Sequence, residues 1–153
     1  MTSSFQQLNF PQYTFRIKHS KTTGNTIFDP CRKKFVALSP EEWVRQHLIH
    51  FLHQEKKFPL SLMAVEHSLK LNNTNKRADL LIVNNQLSPF LIAECKAPTV
   101  NLSQEVLNQA LRYNLIFGVQ YIILTNGLKH FCCQYKHDGS IEMLSDMPTY
   151  NIS

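Results

Sequence analysis

Lys76-Arg77-Ala78-Asp79-Leu80-Leu81-Ile82 and Phe90-Leu91-Ile92-Ala93-Glu94-Cys95-Lys96-Ala97-Pro98 decide how this chain is read. Residues 78–84 and 89–97 are short apolar runs of the kind that buried strands make. The polar segment Asn84-Asn85-Gln86-Leu87-Ser88 between them has the length of a hairpin turn. Side chains alternate along a strand, so Glu94 and Lys96 leave one face and Cys95 the other. Asp79 opens the first run. Ionised groups in strands otherwise built for burial are costly unless they are paired or bind a metal. Neighbouring strands lie roughly 5 Å apart, so Asp79 and Glu94 can share one cation if the register aligns them. An ion pair of Lys96 with Glu94 or Asp79 on an open sheet face accounts for the same residues without any chemistry.

Working outward from this hairpin, residues 62–71 form a third strand, with Val65 and Leu69 alternating. Residues 13–18 alternate with period two and predict a strand, as does a short piece around 34–37. Between them and the hairpin a helix begins at Ser39. Serine is a good N-cap, Pro40 suits the first helical position, and Glu42 completes a capping box. The helix runs to about Lys56, and Pro59 stops it. A second helix starts near Ser103, with Leu102 placed to staple it, and ends by Gly118. The strand 121–125 turns at Asn126-Gly127, a strong hairpin signal, into 128–135, and a weak strand at 141–144 precedes a loose tail. Short turns make the first three strands antiparallel. The helix over 103–117 is long enough to return the chain parallel to an earlier strand. The expectation is an α/β fold, a mixed sheet flanked by helices.

The 153 residues are 43% hydrophobic and 18% charged, ordinary for a globular chain. That length predicts one domain over 1–153, with a basic N-terminal extension over about 1–38 and a core over about 39–145. No apolar run is long enough to span a membrane, and the start has neither a basic n-region nor an apolar h-region, so a cytoplasmic location is expected. Cys31, Cys95, Cys132 and Cys133 include no C-x-x-C spacing, which argues against a zinc or redox site and for free thiols. The net charge is +5 with an isoelectric point near 9.1. Residues 1–34 hold Arg16, Lys18, Lys21, Arg32, Lys33 and Lys34 against Asp29 alone. A basic surface attracts polyanions, of which nucleic acid is the commonest.

On the first helix Val44, Leu48, Ile49, Phe51 and Leu52 form an apolar arc, with Arg45 inside it and Glu42 at its edge. An arginine on a buried face wants a carboxylate or a phosphate. Glu42 has its capping role; Glu41 lies further from the arc and is the less favoured acid for any further part. On the second helix Gln109 and Tyr113 are four apart and share a face. Glu66 either approaches the site or, the preferred reading, pairs with Arg45 or Arg77, and Arg77 is placed to touch either a phosphate or solvent. His47, His50 and His53 are spaced by three but do not share one face, and solvent-facing positions are expected.

The two quoted segments resemble the PD-(D/E)XK nuclease superfamily and, more closely, the N-terminal nuclease domain of type I restriction enzyme R subunits. The likeness runs from about Pro40 through Gly127 and over nearly the whole chain, with Ala78 where the family pattern often has Pro. It implies a restriction-endonuclease-like fold in which Asp79 and Glu94 bind magnesium, with manganese able to substitute, and Lys96 is catalytic. The Cys95 carbonyl is a further expected ligand, and Glu42 a possible holder of a second ion. Gln109 and Tyr113 match the Gln-x-x-x-Tyr motif of related nucleases and would support Lys96 or contact DNA alongside Arg45 and Arg77. The implied activity is Mg²⁺-dependent DNA cleavage in restriction, defence or DNA processing, with DNA, a helicase or translocase, another restriction subunit or a second copy as partners. No P-loop occurs, so these residues do not translocate DNA by themselves. The alternative is a DNA- or protein-binding module of the same fold that cuts poorly or not at all.

Overall fold

The computed structural model describes residues 5–71, 74–115 and 117–151. The elements in chain order are β1 (Ile17–Lys18), β2 (Thr26–Asp29), β3 (Lys34–Ala37), α1 (Pro40–Gln54), β4 (Met63–Leu71), β5 (Thr74–Val83), β6 (Pro89–Cys95), α2 (Gln104–Leu115), β7 (Tyr121–Thr125), β8 (His130–Tyr135) and β9 (Ile141–Leu144). Strands β4 to β9 make a six-stranded sheet in chain order. All neighbours in it are antiparallel except β6 and β7, which run parallel because α2 carries the chain back between them. Strands β1 to β3 make a separate antiparallel sheet. The result is the mixed α/β fold that the pattern predicts.

The apolar runs of β5 and β6 are continuous because both faces of the sheet are covered. Leu80, Ile82, Leu91, Ala93, Cys95 and Ile123 pack with Val44, Leu48, Ile49 and Leu52 of α1 on one face. Those four helix residues are fully buried, each worth about 1.5–3 kcal/mol by transfer. Leu81, Ile92 and Ile122 pack on the other face with Phe117. Leu124 lies beneath Leu107 and Ala110 of α2. Ser39 caps α1 by accepting the Glu42 N–H at 3.0 Å, but the reciprocal half of the capping box is missing because the Glu42 carboxylate is held elsewhere.

The structure departs from the expected pattern in three places. The strand expected over 13–18 is confined to Ile17–Lys18. Phe15 instead packs against Trp43, His47 and His50, and Tyr13 donates from its hydroxyl to Glu55. The segment 26–29, for which no element is predicted, is β2. The histidines of α1 do not all face solvent: His47 is buried and His50 half-buried, and only His53 is exposed. The aromatic segment before β1 covers them, which a helical wheel of α1 alone cannot show. Burial accordingly lowers the pKa of His47 and of His50. All four cysteines are free thiols. The side chain of Leu69 and the last two residues of the tail lie outside the described residues.

The β7–β8 hairpin explains one strict local requirement. Asn126 Oδ1 accepts the N–H groups of Leu128 and Lys129, while its amide donates to the Val100 carbonyl. Gly127 then adopts a φ of 86°, and its carbonyl accepts the Asn9 N–H at 2.7 Å. A β-carbon at Gly127 would meet Leu8 at 2.9 Å and Val44 at 3.1 Å. Gly139 has a similar φ of 87° but open space around it. Gly127→Ala is therefore expected to lose about 2–3 kcal/mol of stability through strain plus displaced packing, and Gly139→Ala about 1 kcal/mol through strain alone. Urea unfolding of the two variants checks the order, and equal losses would contradict it.

Candidate active site

The register of β5 and β6 pairs Ile82 with Leu91, Leu81 with Ile92 and Leu80 with Ala93, and the ladder stops there. The next residues on each strand are Asp79 and Glu94. Instead of a main-chain partner, the Cys95 N–H donates to Asp79 Oδ2 at 2.7 Å. The carboxylate thus satisfies a donor that the departing β5 backbone leaves open. The Lys96 N–H donates to the Thr125 carbonyl at 2.8 Å, so β6 stays anchored to β7. Ala93 and Cys95 face α1, which turns Glu94 and Lys96 towards the α2 side.

Asp79, Glu94 and Lys96 line one cavity of about 460 Å³, closed on its far side by Val106, Gln109 and Tyr113 of α2. Lys96 Nζ pairs with Glu94 at 2.8 Å. That bond to Glu94 raises the Lys96 pKa against the opposing effect of desolvation, so the ammonium is a fixed positive charge and not a base. Desolvation raises the pKa of Asp79, with the Glu94 charge adding to it, against the lowering effects of the Cys95 N–H and of Arg45. The Tyr113 hydroxyl accepts the Arg77 N–H at 3.2 Å, joining α2 to the start of the β5 site segment.

Behind the cavity lies a network of ion pairs. Arg45 reaches Asp79 Oδ1 at 3.6 Å, Glu42 at 3.2 Å and Glu66 at 3.4 Å. Arg32 bonds Asp29 and, at 2.8 Å, Glu42, while Gln46 donates to the other Glu42 oxygen. Arg77 pairs with Glu66 at 2.9 Å. Glu66 therefore has both of the arginine partners expected of it. Its pKa is raised by desolvation but lowered more by Arg45, Arg77 and Arg32, and the net direction is down. Glu66 lies between the Val65–Leu80 and His67–Ala78 pairs, hence opposite Asp79, and takes a φ of 53°. Such a backbone costs about 1–3 kcal/mol in a non-glycine residue and persists only where its surroundings hold it, as the arginine pairs do here.

The structure separates the two acids of α1. Glu42 is buried and fully engaged by Arg32, Arg45 and Gln46, and it does not line the cavity. Glu41, the less favoured acid in the sequence, does line it, and its charge raises the pKa values of both Asp79 and Lys96. Nearness to the apolar arc was the wrong criterion, because the cavity lies beyond the first turn of α1 and not under its core face. The i,i+4 spacing of Glu41 and Arg45 was the usable signal, since Arg45 points at Asp79. Arg32 is a further member that sequence reasoning missed; it comes from the turn after β2 and no local pattern marks it.

Asp79 and Glu94 offer carboxylate oxygens from adjacent strands, the donor type that hard divalent cations take. Among the described residues no three His, Cys, Asp or Glu side chains are grouped tightly enough to enclose an ion by themselves.

The sequence model of the family described as the N terminus of the type I restriction enzyme R protein matches residues 40–148, well over half of the chain. The chain belongs to that family. A fragment structure assigned to an HsdR subunit of a type I restriction enzyme from Vibrio vulnificus is similar over 74% of this chain, with 22% identity and a TM-score of 0.51. At that identity the likeness concerns the fold, and the match spans only 24% of the longer HsdR chain. No curated protein sequence matches. The family match begins at Pro40, so β1 to β3 lie outside it while the Asp79–Glu94–Lys96 cavity lies inside. No helix among the described residues of this R-protein family member is long and apolar enough to cross a membrane.

The raised pKa of Asp79 has a thermal consequence. Asp79→Asn keeps an acceptor for the Cys95 N–H and removes the half-buried charge. The unfolded chain ionises Asp79 near its ordinary 3.8 and the folded chain only above that, so the folded state bears the full cost of the charge above the folded value and none below the unfolded one. The variant is expected to melt above wild type at neutral pH, with the gap closing as pH falls through the raised value towards the ordinary one. Melting curves from mildly alkaline to acid pH check this, and a variant that melts lower at neutral pH contradicts it.

Proposed function

We propose that this domain is a Mg²⁺-dependent DNA endonuclease of the PD-(D/E)XK type, serving as the cleavage module of a type I restriction R subunit, with Mn²⁺ able to substitute. One observation carries the reading: Asp79 and Glu94, fifteen positions apart in the sequence, converge with Lys96 on one cavity where the β5–β6 ladder opens. Family membership supports a role inside a multi-subunit restriction assembly that acts on DNA, next to a translocating motor supplied outside these residues.

Each side chain has a role that its surroundings support. Asp79 and Glu94, with the Cys95 carbonyl as a further candidate, would hold the cation. A bound magnesium ion supplies Lewis acidity at the scissile phosphate and a lowered pKa for a coordinated water. Lys96, kept protonated by Glu94, presents positive charge to the phosphate as it gains negative charge during attack. Arg45 restrains Asp79 from behind and favours its ionised form. Gln109, exposed on α2 at the cavity wall, and Arg77, two-thirds exposed beside it, are placed to contact the sugar-phosphate backbone. Glu41 is the acid of α1 better placed to join Asp79 and Glu94, and Glu42 holds the arginines behind them.

The second reading, a module that binds DNA or a protein without cutting, draws on the Lys96–Glu94 ion pair, which occupies one of the two metal-binding carboxylates. Plasmid nicking in the presence of Mg²⁺, with and without EDTA, decides between them when joined to metal titration. Cleavage is expected to vanish with EDTA and to fall about 100-fold or more in Glu94→Gln and Lys96→Ala. Mn²⁺ affinity is expected to drop in Glu94→Gln while Lys96→Ala still binds the ion. Wild-type protein that binds no divalent ion, or variants that cut as well as wild type, would reject the nuclease reading.

A further inference from the structure

We propose that the β1–β3 sheet is a second, sequence-independent DNA-binding surface that grips duplex phosphates beside the cavity. The sheet lies outside the residues matched to the R-protein family, so nothing in that match accounts for it. Its inner side is spent on structure: Ile27 is fully buried, and the equally buried Asp29 accepts the Cys31 and Arg32 N–H groups and pairs with the Arg32 side chain. Asp29 is the only acid before Glu41 and is neutralised inward by Arg32. Arg16 and Lys18 lie towards the outer side, Lys21 and Lys33 in the two turns, and Lys34 opposite Asp29 at the end of the sheet, all exposed. Among the described residues none of these five makes an ion pair.

Two of the five are held in place. Register puts Phe28 opposite Phe35, with their rings 5.4 Å apart and edge to face. The Arg16 guanidinium lies 4.6 Å from the Phe28 ring centre, and Lys18 Nζ lies 4.1 Å from that of Phe35. Cation–π contact restrains long side chains that would otherwise be free, which lowers the entropic cost of presenting them to a ligand. Lys21 stands at one end of the sheet, and Lys33 and Lys34 at the other, so positive charge runs along its length. Four residues of strand extend roughly 13 Å, about four base pairs of duplex at 3.4 Å per step.

The position relative to the cavity fits the same ligand. Glu41, on the cavity wall, is only four residues beyond the end of β3 at Ala37. At 3.8 Å between successive Cα atoms the two are at most about 15 Å apart. That end of the sheet therefore lies within about five base-pair steps of the cavity wall. The inference rests on the proposed DNA substrate for its ligand but not on cleavage, since gripping a backbone requires neither metal nor Lys96.

The test is fluorescence anisotropy of the full chain with a labelled duplex in EDTA, titrated across about 50–200 mM salt. Each phosphate contact contributes about 0.9 to the slope of log affinity against log salt. Arg16→Gln with Lys18→Gln is expected to reduce the slope by about two and to weaken binding about tenfold or more at moderate salt. Lys33→Gln with Lys34→Gln is expected to do the same, while Lys57→Gln with Lys136→Gln, which removes equal charge from exposed lysines elsewhere, leaves the slope unchanged. Circular dichroism melts confirm that the surface variants fold. The proposal is overturned if both sheet variants keep the wild-type slope, if the control pair lowers it equally, or if these variants lose binding to polyglutamate but not to DNA, which would assign the surface to an acidic protein. Loss of slope in a protein that never nicks DNA would uphold this surface while rejecting the nuclease reading.

Discussion

The hydrogen bond from the Cys95 N–H to the Asp79 carboxylate fixes the geometry on which the cavity depends. Sheet pairing between β5 and β6 ends at Leu80 and Ala93, and without an acceptor the next amide would be unsatisfied near the core. An aspartate side chain can replace the missing main-chain carbonyl while keeping its second oxygen free of that bond. One carboxylate thereby closes the ladder and stays available at the cavity. Cys95 itself turns inward against α1, which aims Glu94 and Lys96 outward.

Holding a half-buried aspartate there is costly, and the cost is offset from behind. Arg45 is shared among Asp79, Glu42 and Glu66, and Arg32 ties the same Glu42 to Asp29 of the small sheet. The network joins α1, β4, β5 and the β2–β3 turn, and its buried members Arg45, Glu42 and Asp29 need exact placement, since an unpaired buried charge costs several kcal/mol, whereas the exposed Arg77–Glu66 pair contributes little. Glu66 accepts an unfavourable backbone conformation to take part. Precision at the site is thus maintained by residues that do not line the cavity, Glu42 among them.

The two sheets divide the labour of the molecule by burial. The six-stranded sheet is covered on both faces and positions a few ionised groups at one opened end. The small sheet buries only Ile27 and Asp29 and presents cations on rigid aromatic supports. Partial burial strengthens the interactions among the charges at the cavity, whereas the exposed cations act through their number and sensitivity to salt.

The sequence by itself determined the order of the main elements, the parallel return through α2, and the common face of Glu94 and Lys96. Each of these follows from a local period, a cap or a turn residue, which act over a few positions. It also marked Asp79 as an acid out of place. Only the tertiary structure decided that Asp79 stands where the ladder opens, that Glu41 and not Glu42 borders the cavity, and that His47 is buried under an aromatic segment from far upstream. The strand β2 was likewise invisible, because Thr26–Asp29 is too short to show a period and is defined by its partners. These outcomes depend on register between strands and on which distant segment covers a helix face, and neither is encoded within a window of adjacent residues.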